Sequence, residues 1–373
     1  MEKDAKQLID KYVNGLCTPE EAAVVERWYY NTDEQVEIDE NRIDEIGERI
    51  WKEIPLGNSP VKKYRLWPRL VAAAAILIVG GVYLIQQYGG FGTPSANVYV
   101  NDIAPGKNKA VLTLDNGRTI DLSDAKKGLV IDTRGLTYED GSAVAQQNEQ
   151  VAGLKQLNLS TPRGGTYQVV LPDGSKVWLN ASSTLSFPAS FEKAESRRVE
   201  LVGEAYFEIT KLNSLASKAH VPFVVVSKGQ EVEVLGTHFD VNCYEDESTV
   251  RTTLLEGSVK VSSAAHKSAL LKPNQQSVLS TSDLTVKEID ADEVASWKDG
   301  YFRFNDESLV SIMQKVSRWY DVNVIYTDDQ LKTETYAALT TRFANVSKLL
   351  DKLEQIGSAK FKIEGRTITI SKK

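Results

Sequence analysis

A nearly uncharged apolar run, Leu70–Ile85 within "KKYRLWPRLVAAAAILIVGGVYLIQQYGG", interrupts a chain of 373 residues that otherwise reads as soluble. Its 16 positions would make about 24 Å of helix at ~1.5 Å per residue. That is short of the ~30 Å hydrocarbon core of a bilayer. Extending the segment back to Leu66 gives about twenty residues, with Arg69 able to snorkel and Pro68 tolerated in a first helical turn. Trp67 and Tyr83 then fall near opposite interfaces, where aromatic rings are favoured. A buried core helix is the competing reading of so short a run. A cleavable signal peptide fits less well, because a patterned segment precedes the run. The expectation is one transmembrane helix over 66–88.

Charge sets the orientation. Lys62, Lys63, Arg65 and Arg69 lie before or at the start of the run and almost no bases follow it closely. The positive-inside rule therefore puts the N-terminus in the cytoplasm and the body from about residue 90 outside the inner membrane, in the periplasm. Residues 1–60 hold 15 acids against 7 bases, within a net charge of −7. So acidic a head argues against direct nucleic-acid contact, which needs Lys and Arg on phosphates. The two cysteines, Cys17 and Cys243, are too few for a disulfide framework or a cysteine-based zinc site.

The head, 1–60, reads as short helices. Leu8, Tyr12 and Leu16 recur near helical spacing, and Gly15 offers a C-terminal stop. "TPEE" supplies Thr18 as N-cap, Pro19 at the first helical position and Glu21 for a capping box. Val25, Trp28 and Tyr29 share a face of the second helix, and Ile43, Ile46, Ile50 and Ile54 stripe a third. So small a bundle buries little surface. Its stripes either pack on one another or, at Trp28 and Tyr29 above all, await a partner.

After "GGFGTPSAN" the period changes to two. "AVLTLDNGRTIDL" and "QVVLPDGSKVWLN" alternate around Asp-Asn-Gly and Asp-Gly, the pattern of β-hairpins. These aspartates read as turn residues rather than catalytic carboxylates. Further strands, rich in valine and punctuated by Gly, Pro and Asn, predict an all-β sandwich, barrel or stacked roll over 95–290. From Ala291 the order becomes β-α-β-β-α-β-β, a small α+β module over 291–373. In it "YFRF" is a strand and Asn305 or Asp306 caps the helix "SLVSIMQKVSRWY".

The stretches "LPDGSKVWLNASSTLSFPASF", "RRVELVGEAYFEI" and "VEVLGTHFDVNCY" resemble the periplasmic domain of the FecR family of anti-sigma regulators. "ADEVASWKDGYFRFNDESLVSIMQKVSRWYDVNVIY" resembles the C-terminal module of the Bacteroidetes branch, itself similar to the short N-terminal domain of secretins and TonB-dependent transducers. The resemblance implies a multidomain protein: a cytoplasmic helical anti-sigma head, one membrane helix, a mainly-β FecR-like domain and the C-terminal module. It implies two partners, an extracytoplasmic-function sigma factor held inactive by the head and the signalling domain of a TonB-dependent outer-membrane transporter. Within the head, Val25, Trp28, Tyr29, Ile46 and Ile50 are the expected sigma-factor contacts. An acidic head suits a basic, DNA-binding partner on charge alone.

Signals for an enzyme are weak. His220, His238 and His266 lack metal spacing, and no phosphate loop or nucleophile elbow has supporting context. No cofactor, metal or catalytic residue is expected, and Cys243 reads as a buried, inert thiol. The Gly236-Thr237 bond resembles the place where some FecR-type regulators cleave themselves, the Thr hydroxyl attacking the preceding carbonyl. A Gly bulge in a strand accounts for the same residues. A cell-envelope glycan-binding protein would share the β-rich exterior but would not need an acidic cytoplasmic head.

The orientation can be checked directly. A periplasm-active reporter fused after about Gly92 should work, and the same reporter fused at about Ser59 should not. The reverse pattern overturns the orientation, and activity at both positions overturns the span.

Overall fold

Period-two alternation becomes strand wherever the computed structural model describes the chain, which is over residues 102–132, 135–144, 154–192, 194–213, 220–281 and 283–373. All of these lie in the unit Gly92–Lys373. The head with Val25, Trp28, Tyr29, Ile46 and Ile50, and the expected span over 66–88, lie outside the described residues. Among the described residues no helix is long and apolar enough to cross a membrane.

The first strands are β1 (Lys107–Asn108), β2 (Val111–Leu114), β3 (Thr119–Asp121), β4 (Gly128–Asp132), β5 (Gly135–Tyr138) and β6 (Gln156–Thr161). β7 (Gly165–Val170), β8 (Lys176–Leu179), β9 (Ser183–Pro188), β10 (Arg197–Glu208), β11 (Phe223–Ser227) and β12 (Gln230–Val234) follow. β13 (His238–Cys243), β14 (Val250–Glu256), β15 (Val259–Ser263), β16 (Ser268–Leu271), β17 (Gln275–Leu279) and β18 (Leu284–Glu288) complete the β-body. The hairpins expected around Asn116-Gly117 and Asp173-Gly174 are β2–β3 and β7–β8, with Gly117 and Gly174 at positive φ. Asp173 is a structural residue. It accepts from Ser175 within the turn and pairs at 2.6 Å with the fully buried Arg197.

Two sheets share one strand. One runs β16-β15-β12-β11-β10-β9-β6-β2-β3. The other runs β5-β4-β7-β8-β10-β13-β14-β17-β18. Residues 197–202 of β10 pair with β11 and β9 in the first sheet, and residues 203–208 pair with β13 and β8 in the second. The hand-over is at Gly203, whose φ is +96° and whose missing Cβ would sit 2.4 Å from Ser183 Oγ. No L side chain fits there without moving the neighbouring strand. The inner faces enclose one apolar core, in which Phe207 and Phe239 stack at 4.9 Å.

A short helix, α1 (Ala291–Ala295), and a 3-10 turn over Ser296–Asp299 lead into the C-terminal module. The module comprises β19 (Tyr301–Ser308), α2 (Leu309–Tyr320), β20 (Asn323–Tyr326), β21 (Thr335–Thr341), α3 (Val346–Ile356), β22 (Ala359–Glu364) and β23 (Thr367–Lys372). The order is the one expected from the sequence. β19 pairs with β21, β23 lies between β20 and β22, and the helices supply the apolar side of a second core.

One local expectation is corrected. Neither Asn305 nor Asp306 caps α2; the strand continues through a bulge at 304–307 to Ser308, with Asp306 at φ +52°. Glu307 and Ser308 pair with Tyr336 and Thr335, and Leu309 N–H donates to the Glu334 carbonyl at 2.7 Å. A tertiary backbone bond thus satisfies a helix-end donor that a side-chain cap would otherwise serve.

The corner generates a prediction. Replacing Gly203 by Ala combines a positive-φ penalty with a backbone clash, and should destabilise the β-body by at least about 2 kcal/mol in urea unfolding. An unchanged midpoint would mean that the sheets can hand over without a glycine.

Candidate functional site

The second sheet's outer face is not left to solvent. On β13, Phe239, Val241 and Cys243 enter the core, so Asp240 and Asn242 point outward, yet they are 1% and 8% exposed. What covers this face is the 3-10 turn and the C-terminal module, and the seam between them is held mainly by arginines.

Arg342 follows β21 and is 3% exposed. Its Nη1 donates to the Trp297 carbonyl at 3.0 Å and its Nη2 to Asn180 Oδ1 at 2.9 Å. The guanidinium lies 4.0 Å from the centroid of the Trp319 ring, a cation–π contact strengthened by the absence of water. Burial holds Arg342 down to about 10, still charged at neutral pH. Arg318 projects from α2 over the Tyr244 ring at 3.6 Å and forks to Glu247 and Asp246, each at 2.8 Å. Arg163, in the turn between β6 and β7, donates to the Ser317 and Val322 carbonyls at the end of α2 and pairs with Asp321 at 2.9 Å. It supplies from the β-body the cation that a helix C-terminus favours. Gly164 N–H adds a bond to the Arg318 carbonyl at 2.7 Å, and a Cβ at Gly106 would strike the Trp319 ring at 2.8 Å.

The segment before β1 joins the module as well. Asp102 accepts from Ser347 N–H at 3.2 Å and from Ser347 Oγ at 2.7 Å, capping α3 from 245 residues away. Val346 N–H donates to the Ile103 carbonyl, and the Ile103 side chain is buried in the module's core.

Beneath the arginines lie two carboxyls. Glu204 accepts from Asn180 Nδ2 at 2.5 Å and from Asn242 Nδ2 at 3.2 Å. Asp240 accepts from Trp297 Nε1 at 3.1 Å. Burial, and after it the neighbouring Glu204 carboxylate, pushes the Asp240 carboxyl well above the usual range, towards its neutral form.

The residues singled out in the sequence lie elsewhere. Gly236 and Thr237 form the bend between β12 and β13; Thr237 is buried and its hydroxyl donates to the Ser258 carbonyl at 3.1 Å. His238 turns away and pairs through Nδ1 with Glu256 at 3.2 Å. Cys243 is a free buried thiol, pushed up to about 12 by burial. Among the described residues no cluster could hold a metal ion. Sequence reasoning missed Arg342, Arg318, Arg163 and Asp102. Arg342 did carry a signal, since it continues the inward phase of β21 set by Tyr336 and Thr340. Arg163 and Asp102 carried none.

Comparisons place these two layers. Residues 158–260 match the family model described as FecR protein, and residues 301–370 match that described as FecR, C-terminal. Two crystal structures of a "putative anti-sigma factor" from Parabacteroides distasonis, at 1.65 and 2.50 Å resolution, are similar to the chain. Each has a TM-score of 0.52 at 24% identity, covering 58% of this chain and 99% of the other. At that identity the likeness is one of fold. None of the curated proteins compared with the chain matches it.

The buried acids give a pH prediction. Because the folded state disfavours ionised Asp240, its contribution is most favourable below the ordinary carboxylate range and is lost as pH rises through its raised folded value. Asp240→Asn keeps an acceptor for Trp297 and removes that loss. It should raise the melting temperature at pH 7 and leave it nearly unchanged near pH 4. Equal destabilisation at both values would show that the carboxyl is needed for its shape rather than penalised for its charge.

Proposed function

Because the chain belongs to the FecR family, by the FecR and FecR C-terminal domains it carries in succession, we infer that it is a single-pass anti-sigma factor of the inner membrane. In this reading the helical head, 1–60, sequesters an extracytoplasmic-function sigma factor through Val25, Trp28, Tyr29, Ile46 and Ile50. The segment 66–88 spans the membrane, and the C-terminal module receives the signalling domain of a TonB-dependent outer-membrane transporter. The protein regulates by occupancy and turns over no substrate.

The observation that carries the reading is the grip of the module on residues 102–103. Asp102 caps α3 and Ile103 enters the module's core, on the segment that follows the apolar run. A disturbance of the module therefore acts on the chain next to the expected span without first unfolding the β-body. The module also offers a place to be disturbed. β21 pairs with β19 on one side, and Leu339 within it and Phe343 just after it are 62% and 69% exposed. An edge with unpaired backbone groups and apolar flanks can accept a strand reversibly.

The test is sigma-dependent transcription in cells that carry the transporter. Trp28→Ala with Tyr29→Ala should release the sigma factor and raise basal transcription, since losing a buried aromatic anchor typically removes at least about 2 kcal/mol of binding. Circular dichroism on the purified protein separates release from unfolding of the head. Asp102→Ala removes a helix cap of about 1 kcal/mol; it should preserve repression and blunt the response to the inducing signal. Full repression in the first variant, or an undiminished response in the second, counts against the corresponding half of the scheme.

A further inference from the structure

A cavity of about 470 Å³ opens in the seam, within the ~300–1,000 Å³ range of small-molecule sites. Its floor is the outer face of the second sheet and its far wall is β19 with the start of α2. All of β19, Tyr301 to Ser308, lines it, whereas of β21 only Thr335 does. A wall that takes in both the buried Phe302 and Phe304 and the exposed Tyr301 and Arg303 is the edge of a strand, not one of its faces.

That edge is open. Arg342 N–H donates to the Gly300 carbonyl at 2.8 Å, and in the register of β19 with β21 residues 302 and 304 are then the ones whose backbone groups bond β21. The N–H and C=O groups of Tyr301 and Arg303 point the other way, into the cavity, and have no partner among the described residues. The floor opposite makes no such demand. Gln276 donates to Thr253 Oγ1 at 2.7 Å and Asp240 accepts from Trp297 Nε1 at 3.1 Å, so its buried polar row is satisfied from within. An open backbone edge selects one ligand chemistry, an extended polypeptide segment whose own N–H and C=O groups alternate to match.

Geometry and charge narrow the segment further. A strand laid on β19 has the floor behind it, so the slot holds a single strand and leaves no room for the sheet of a folded partner. The lining charges that lack an opposite charge in contact are segregated along β19. Glu293 and Asp306 have no ion pair among the described residues and lie towards its far end, Glu293 in the field of Lys315 and Glu307. Arg342 lies at the Tyr301 end without a carboxylate in contact; its Nε is unpartnered, and Glu204 reaches it only through Asn180. Arg251, Arg303, Lys315 and Arg318 are paired, and Lys287 stands exposed at the rim. Acid at one end and base at the other match the ammonium and carboxylate of a free peptide that runs antiparallel to β19.

We propose that this slot binds a short free peptide, about four residues long at ~3.4 Å per residue, as an added strand on β19 between the β-body and the C-terminal module. Its ammonium lies towards Glu293 and Asp306 and its carboxylate towards Arg342.

Isothermal titration of the full chain in detergent, with tetra-alanine and Ala-Val-Thr-Ala as probes, tests this alongside amide exchange. At least one peptide should bind saturably and slow exchange at the Tyr301 and Arg303 amides. Methylating the backbone nitrogens of its second and third residues should weaken binding by at least about tenfold, the loss of one good hydrogen bond. Arg303→Pro removes an edge donor while the bonds to β21 stay, and should abolish binding. Glu293→Gln should weaken the free peptide about threefold and leave its N-acetylated amide unchanged; it serves even if Arg303→Pro fails to fold. Absence of saturable binding by both peptides overturns the proposal, and so does binding indifferent to backbone methylation. Tighter binding of citrate or putrescine overturns it in favour of a site for a small ion. An N-acetylated amide that binds as tightly as the free peptide overturns it in favour of a segment of a longer chain. No sigma factor is present in the titration, so its failure leaves the anti-sigma assignment where it stands.

Discussion

A strand that belongs to two sheets has to turn its pleat at one residue, and Gly203 is where β10 does so. Up to Val202 the strand alternates strictly, buried and exposed, as a strand in a sheet with one solvated face should. Beyond the corner nearly every residue is buried, because the second sheet is covered on both faces. Ala205 and Phe207 continue the core between the sheets, while Glu204 and Tyr206 face the seam. A side chain at 203 would meet Ser183 Oγ and the Ser183 Cα, at 2.4 and 2.7 Å. The seam exists because the residue before it has no side chain.

The chemistry of the seam follows from what it must do. Its apolar part is small, centred on Tyr206, Ala295 and Trp297. Directional groups carry the rest: guanidinium forks to carboxylates and carbonyls, those of Arg318 and Arg342 backed by an aromatic face. Buried ion pairs give little net stability over apolar packing, because desolvation offsets most of the attraction. They do restrict geometry, since a planar guanidinium satisfies its partners in few orientations. Arg342 illustrates the balance. Its Nε stays without a hydrogen-bond partner while Nη1 and Nη2 fix the module to Trp297 and Asn180. A seam of this kind fixes register more than it adds affinity.

The elements were legible because their signals are local. Asn116-Gly117 and Asp173-Gly174 announce hairpins, Gly203 interrupts an otherwise regular alternation, and α2 and α3 carry clear apolar stripes. The cap of α2 was misplaced because a tertiary bond from Leu309 N–H to Glu334 replaces a local one. The seam was legible only in part. Period two correctly sends Asp240 and Asn242 outward from the core, but nothing in "HFDVNC" says that the outward face is covered. Arg163 reaches α2 across more than 150 residues of chain, as its bond to Ser317 records a separation of 154. Spacing within a motif cannot report a partner that distant.

The longest-range contact is also the easiest to misjudge. Closing a loop of 245 residues from Asp102 to Ser347 would carry an entropic cost of roughly 5 kcal/mol in a free chain. A helix cap contributes about 1 kcal/mol, so the cap cannot hold the loop closed by itself. It does not have to. β1 is paired to β7 at Lys107–Gly165, and Gly164 is bonded to the Arg318 carbonyl in α2. Once the β-body has folded and the module has docked, only the few residues from 102 to 106 remain to be placed. Their contacts then need to offset only local ordering, and the burial of Ile103 with the Val346 backbone bond does so alongside the cap. The dependence also runs backwards. If the arginine contacts open, the module is no longer held beside residues 102–106, and Asp102 and Ile103 lose their hold with it. The chain segment beneath the module is therefore the part of residues 102–373 that reports most directly on whether the seam is closed.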